Sequence, residues 1–268
     1  MLERYARTDS EWFDLVTRGL DLHVKNAREY RQLRRALGSV TSPEGNAANY
    51  RARGRYRRVV VSRLTKLVDE SQQIPSRQRS EFAFVTIDDA RWWTSDVEFR
   101  FHRQSATALI RNFLAGTNFL GWWEFGAIRN HRGPPPSFRG KLVTPHFHAL
   151  VWGRNLRTIR KLLSRRKGRF ASGFDGIKAV DIRKLPTPND LLEVACYILK
   201  SPIMAYRLIK RRDETFRLRK SRNSYKGHLR VFLILMGYRL VDLMVAGGEG
   251  TKLAKDIRQA TNGHRCRR

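Results

Sequence analysis

The stretch Thr144-Pro145-His146-Phe147-His148-Ala149-Leu150-Val151-Trp152 is the part of this sequence on which the reading of the fold turns. It predicts a strand over 143–152. Side chains alternate along a strand, so His146 and His148 share one face and Phe147 takes the other. Two imidazoles on one face make a bidentate clamp for a divalent cation; taken alone, the pair is equally two ordinary strand histidines. Upstream, residues 121–128 read as a second strand, and the intervening loop, 130–141, carries Gly133-Pro134-Pro135-Pro136 and can be neither helix nor central strand. If that loop closes a hairpin, the two strands are antiparallel. The partner strand holds Glu124 between Trp123 and Phe125. A carboxylate inside an apolar run is costly unless it is paired or bound to metal. On the histidine face Glu124 becomes a third ligand; otherwise it is a strand-end salt bridge, with Arg129 for example.

Further out, Phe82-Ala83-Phe84-Val85-Thr86-Ile87 reads as a buried strand. Residues 97–119 show helical spacing, with Leu109, Ile110, Phe113 and Leu114 on the core side. Asn155 caps a helix running to about Arg165, and 176–182 reads as a fourth strand. Thr187-Pro188-Asn189-Asp190 then opens a helix that continues to about Lys200 and stops at Ser201-Pro202. The order β-α-β-β-α-β is the ferredoxin-like arrangement, an α+β fold on an antiparallel sheet. The last of these helices carries Tyr197 and Lys200, which at i and i+3 bring a phenol and an ammonium to one point. A half-core tyrosine beside a solvated lysine is the ordinary alternative.

The flanks differ in character. Residues 11–37 and 59–70 have helical spacing, separated by a Gly/Pro/Asn-rich break over 38–49, and 71–80 reads as a linker. Beyond 203 come a basic segment over 207–226, an apolar helix and a polar tail. The expected organisation is a basic helical extension over 1–78, a central domain over 79–205 and a basic helical extension over 206–268.

Composition narrows the partners. The chain of 268 residues has 54 Lys plus Arg against 24 Asp plus Glu, a formal net charge of +30, which draws polyanions and releases their counterions. Nucleic acid is the leading expectation, ahead of an anionic membrane and of a ribosomal or chromatin role. Hydrophobic residues make up 41%, enough for a packed core. Cys196 and Cys266 are far apart and form neither a metal pair nor a disulfide framework, as expected in a reducing cytoplasm. The charged opening residues do not read as a secretion signal, and the apolar run 231–248 is interrupted by Arg239 and Asp242, so no membrane partner is expected.

Three segments together resemble a known family. Thr144 to Val151 resembles the His-hydrophobic-His motif of the HUH endonucleases, in particular plasmid-type rolling-circle replication initiators. Phe84-Val85-Thr86-Ile87 resembles their first motif, and Cys196-Tyr197-Ile198-Leu199-Lys200-Ser201 their tyrosine motif, in the family's order. The resemblance covers roughly residues 80–205. It implies that His146 and His148 hold Mg or Mn with Glu124 as third ligand. It also implies that Tyr197 attacks the scissile phosphate with help from Lys200, leaving a 5′-phosphotyrosine and a free 3′-OH. Single-stranded and origin DNA would be the substrates, with a host helicase and polymerase as partners. Tyr206 lies beyond Pro202 and outside the motif, so the resemblance is to the single-tyrosine form. Gly247-Gly248-Glu249-Gly250-Thr251-Lys252 lacks the spacing of a phosphate-binding loop, so no fused helicase is expected.

Within the same chemistry a single-tyrosine transposase or a relaxase is the alternative. From another class comes a non-catalytic nucleic-acid binder, which accounts for the charge and fold but leaves Glu124, His146, His148, Tyr197 and Lys200 as coincidence. Of the tryptophans, Trp123 is expected in the core, while Trp92, Trp93 and Trp122 are either core or stacking platforms for bases. The arginine clusters over 51–58 and 207–226 are expected to meet phosphates, and His102, His131, His228 and His264 to lie on the surface.

Overall fold

The computed structural model describes residues 2–38, 46–72, 81–128, 141–202 and 204–262. Most of the expected 71–80 linker, the 130–140 loop with His131, and the tail with His264 and Cys266 lie outside the described residues. The chain is α+β, with a mixed, strongly curled sheet.

The expected β-α-β-β-α-β order is present. β1 (Phe82–Asp88) leads through the two-residue β2 (Thr94–Ser95) and α4 (Arg103–Phe113) to β3 (Asn118–Ile128), which pairs antiparallel with β4 (Leu142–Trp152). α5 (Leu156–Ser164), β5 (Val180–Leu185) and α6 (Pro188–Tyr197) follow. These strands lie side by side as β5-β1-β4-β3, every neighbour antiparallel. β4 is buried along its whole length because β3 covers one edge and β1 with β2 the other. The fourth strand begins later than the expected 176–182 because Gly176, at φ 83°, turns the chain before it pairs with β1.

Local chemistry sets the helices. The Asn155 side chain accepts from Thr158 N, and Leu156, Ile159 and Leu163 form the buried stripe of α5. Thr187 and Asp190 form a reciprocal capping box at the start of α6, with Pro188 in its first turn. α6 stops at Tyr197, short of the expected Lys200, and one further turn closes through Lys200 N donating to Tyr197 O before Pro202.

The flanking segments join the same body. α1 (Leu2–His23) and α2 (Ala27–Gly38) occupy the first predicted helical stretch, broken at residues 24–26, and α3 is longer than expected (Tyr50–Gln72). α1 and α3 pack on each other and on α6. The expectation of a purely helical C-terminal segment is corrected: β6 (Met204–Lys210) and β7 (Phe216–Arg222) form a hairpin, and β8 (Met244–Gly247) is a further strand between α7 (Tyr225–Met236) and α8 (Gly250–Asn262). The run 231–248 is therefore helix as far as Met236, a connecting turn, and strand only over Met244–Gly247. β8 pairs antiparallel with β3 at residues 119–122, and β6 meets it in parallel at Ile128. Trp92, Trp122 and Trp123 are all core, and Trp93, half-buried, donates its Nε1–H to Asp88. Among the described residues no helix is long and apolar enough to cross a membrane.

Candidate metal centre and adjoining tyrosine

Register brings the ligand set together. Glu124 sits directly opposite His146, and Trp122 opposite His148, so both imidazoles and the carboxylate rise from the same face of the β3–β4 pair. The Nε2 atoms of His148 and His146 lie 3.1 Å and 3.7 Å from Glu124 Oε2. One ligand atom from each of the three residues falls within 4.8 Å of the others. Gly126, next on the same face of β3, keeps this space open: a Cβ there would stand 2.9 Å from Thr144 Oγ1 and 3.3 Å from His146 Cε1.

The outer ring nitrogens are held. His146 Nδ1–H donates to Thr144 O at 2.9 Å, which in the neutral ring leaves the Nε2 lone pair facing the carboxylate. His148 Nδ1 is 3.0 Å from Thr86 Oγ1, the register partner of His148 on β1. Its Nε2 is buried with only the Glu124 carboxylate, 3.1 Å away, against it as a charge contact, and the neutral ring makes no hydrogen bond there. A buried orphan nitrogen, a second lone pair and a carboxylate aimed at one space are what a divalent cation requires, and Glu124, His146 and His148 can hold one.

The charges are tightly coupled. Burial works against the Glu124 carboxylate, but the Lys200 ammonium and the two imidazoles outweigh it and hold its pKa well below the ordinary range. Burial pushes His148 down to about 4, with the charges of His146 and Lys200 acting in the same direction. For His146, burial is outweighed by Glu124, Asp88 and the Thr144 carbonyl, and its pKa is raised.

Tyr197 and Lys200 arrive from the helical side. The Tyr197 ring lies edge-on to His148 with centroids 5.5 Å apart. Lys200 Nζ stands 3.7 Å from the centre of that ring and contacts both Glu124 oxygens at 2.6 Å. The predicted five residues thus form one cluster. Burial raises the Tyr197 pKa above the ordinary phenol value, the Glu124 charge adds to this, and a hydrogen bond donated by Tyr206 opposes it.

Several members of the surroundings escaped the sequence reading. Tyr206, set aside because it lies beyond Pro202, sits on β6 with its hydroxyl on that of Tyr197. Asp88, opposite His146 on β1, is raised in pKa by burial; the two-residue spacing from Thr86 was its available signal. Arg53 and Arg57, expected to meet phosphates, are instead buried. Arg57 donates twice to Asp9 and once to Leu199 O, Arg53 donates to Lys200 O, and Ser201 Oγ donates to Asp9. The N-terminal helices therefore grip the turn that carries Lys200. His228, expected on the surface, is buried against Trp12.

Compared with protein-family models, with curated proteins and with solved structures, the chain finds no match. The class of the site accordingly rests on its own donor set: two imidazoles and one carboxylate that could hold a metal ion, with a phenol and an ammonium beside them.

Proposed function

We propose that the chain is a metal-dependent enzyme that nicks and rejoins single-stranded DNA through Tyr197, acting as an HUH-type rolling-circle replication initiator at an origin. The observation that carries this reading is the meeting of Tyr197 with the Glu124–His146–His148 group, contributed by segments far apart in the chain. Mg or Mn held by these three residues would supply Lewis acidity toward a phosphoryl oxygen.

The protein's own residues divide the remaining work. Tyr197 Oη attacks phosphorus, forming the tyrosyl–phosphate bond as the bond from phosphorus to the 3′ oxygen breaks. The phenol gives up one proton and the departing 3′ oxygen takes one up, so the exchange of one phosphodiester for another is balanced and reversible. The raised pKa of Tyr197 means that its phenolate needs a nearby cation, and Lys200, poised over the ring, is placed to stabilise it or the charge building on phosphorus. Thr86 and the Thr144 carbonyl keep the imidazoles oriented.

Incubating the protein with single-stranded oligonucleotides and Mn, followed by a denaturing gel, tests the assignment. A covalent adduct that is lost in Tyr197→Phe and retained in Tyr206→Phe is the expected result. DNA binding without any adduct, across substrates of varied sequence, would instead identify a non-catalytic binder.

A further inference from the structure

We propose that the β6–β7 hairpin is a docking ribbon for double-stranded DNA, on the face turned away from the cutting site. The inference deepens the reading above and rests on it for its biological sense, but its physical basis is separate. Pairing sets Arg207 directly opposite Arg219, and Ile209 opposite Arg217. Alternation therefore gathers Arg207, Arg217 and Arg219 on one face, and all three are exposed. The other face carries Tyr206, which reaches Tyr197, and Phe216, which packs on Phe174.

Like charges placed directly opposite each other on neighbouring strands are destabilising. Among the described residues none of the three arginines has an ion-pair partner. The acidic residues at the hairpin tip are engaged elsewhere: Glu214 pairs with Lys210, and Asp213 accepts from Thr215. The ribbon thus holds an unneutralised positive face on the edge strand of the sheet. Guanidinium groups match phosphate oxygens in a forked geometry, which suits a polyphosphate occupant.

The chemistry favours a duplex. Between its charges the arginine face presents Ile209 and Ser221, with Ala205 buried at its base, and no aromatic ring on which an unpaired base can stack. A two-stranded ribbon fits the major groove of B-form DNA, whereas that of duplex RNA is too deep and narrow. Duplex on one face and the strand to be cut on the other would let the protein hold an origin while working on its melted portion.

The test compares wild type with the triple variant R207Q/R217Q/R219Q. Binding is measured by fluorescence anisotropy across a salt series, using a blunt mixed-sequence DNA duplex, a duplex RNA of the same sequence and a single-stranded oligonucleotide. For the DNA duplex, the slope of log affinity against log salt should fall by about three, with weaker binding at every salt concentration. Single-strand binding should hold, and thermal stability should stay level or rise as the cross-strand repulsion is relieved. An unchanged duplex slope, an equal loss on single strands, a loss confined to duplex RNA, or a drop in stability would each overturn the proposal. Because the measurement is of binding alone, it stands whether or not Tyr197 forms an adduct.

Discussion

Lys200 stands between two roles. Its ammonium contacts both oxygens of Glu124, the same atoms a divalent cation would use, and the two positive charges oppose each other. Lys200→Ala is therefore expected to tighten Mn binding by about tenfold, or roughly 1.4 kcal/mol, in a calorimetric titration. The same change should lower adduct formation by about 10²–10³-fold. His228 gives a pH prediction away from the metal centre. Burial pushes its pKa down to about 4 from the ordinary 6.5, so the folded state resists its protonation. Its contribution to stability is present above pH 6.5 and is lost as pH falls from 6.5 toward 4, on the order of 2–3 kcal/mol. In thermal melts at pH 7 and pH 4.5, His228→Phe should show a smaller acid-induced drop in Tm than wild type. At this scale Glu124, His146 and His148 were legible because strand alternation has a period of two and needs no long-range information. Tyr206 was not, because nothing in its local sequence says that the chain folds back beside Tyr197.

Among the elements, the turn after α6 depends on α1 and α3. Arg57 and Asp9 form a pair with 2% and 5% side-chain exposure, and Arg57 also satisfies Leu199 O. Removing one partner leaves the other charged and buried, so Arg57→Ala should cost about 3–5 kcal/mol in denaturant unfolding. At temperatures where the variant remains folded, adduct formation should still fall, because the turn that carries Lys200 loses its tether at Leu199 O; retained activity would show that the grip is structural only. The arginines over 51–58 misled because a charge run in sequence reads as solvated, and only packing shows that Arg53 and Arg57 turn inward. The basic segment over 207–226 hid two strands for a related reason. Phe216 and Leu218 alternate with arginines as a strand would, but so many charges mask the apolar period.

Taken whole, the molecule is organised around β3. β4 covers one edge, while β8 and β6 share the other. A fragment limited to 79–205 would lose β8 and most of the β6–β7 hairpin as well as α1 and α3, exposing a long apolar edge. It should elute as aggregates in size-exclusion chromatography where the full chain does not. The core β-α-β-β-α-β order was readable because each element carries its own caps and periodicity. The pairing of β8 with β3 was not, because a strand's partner across so long a separation is decided by tertiary packing. This shared edge also bears on how the protein is made. At ~5–20 residues per second, a ribosome needs roughly 6–23 s to travel from residue 128 to residue 244. For that interval the 119–122 stretch of the border stays open and sticky, since β6 reaches only Ile128, a window in which holding chaperones would matter most.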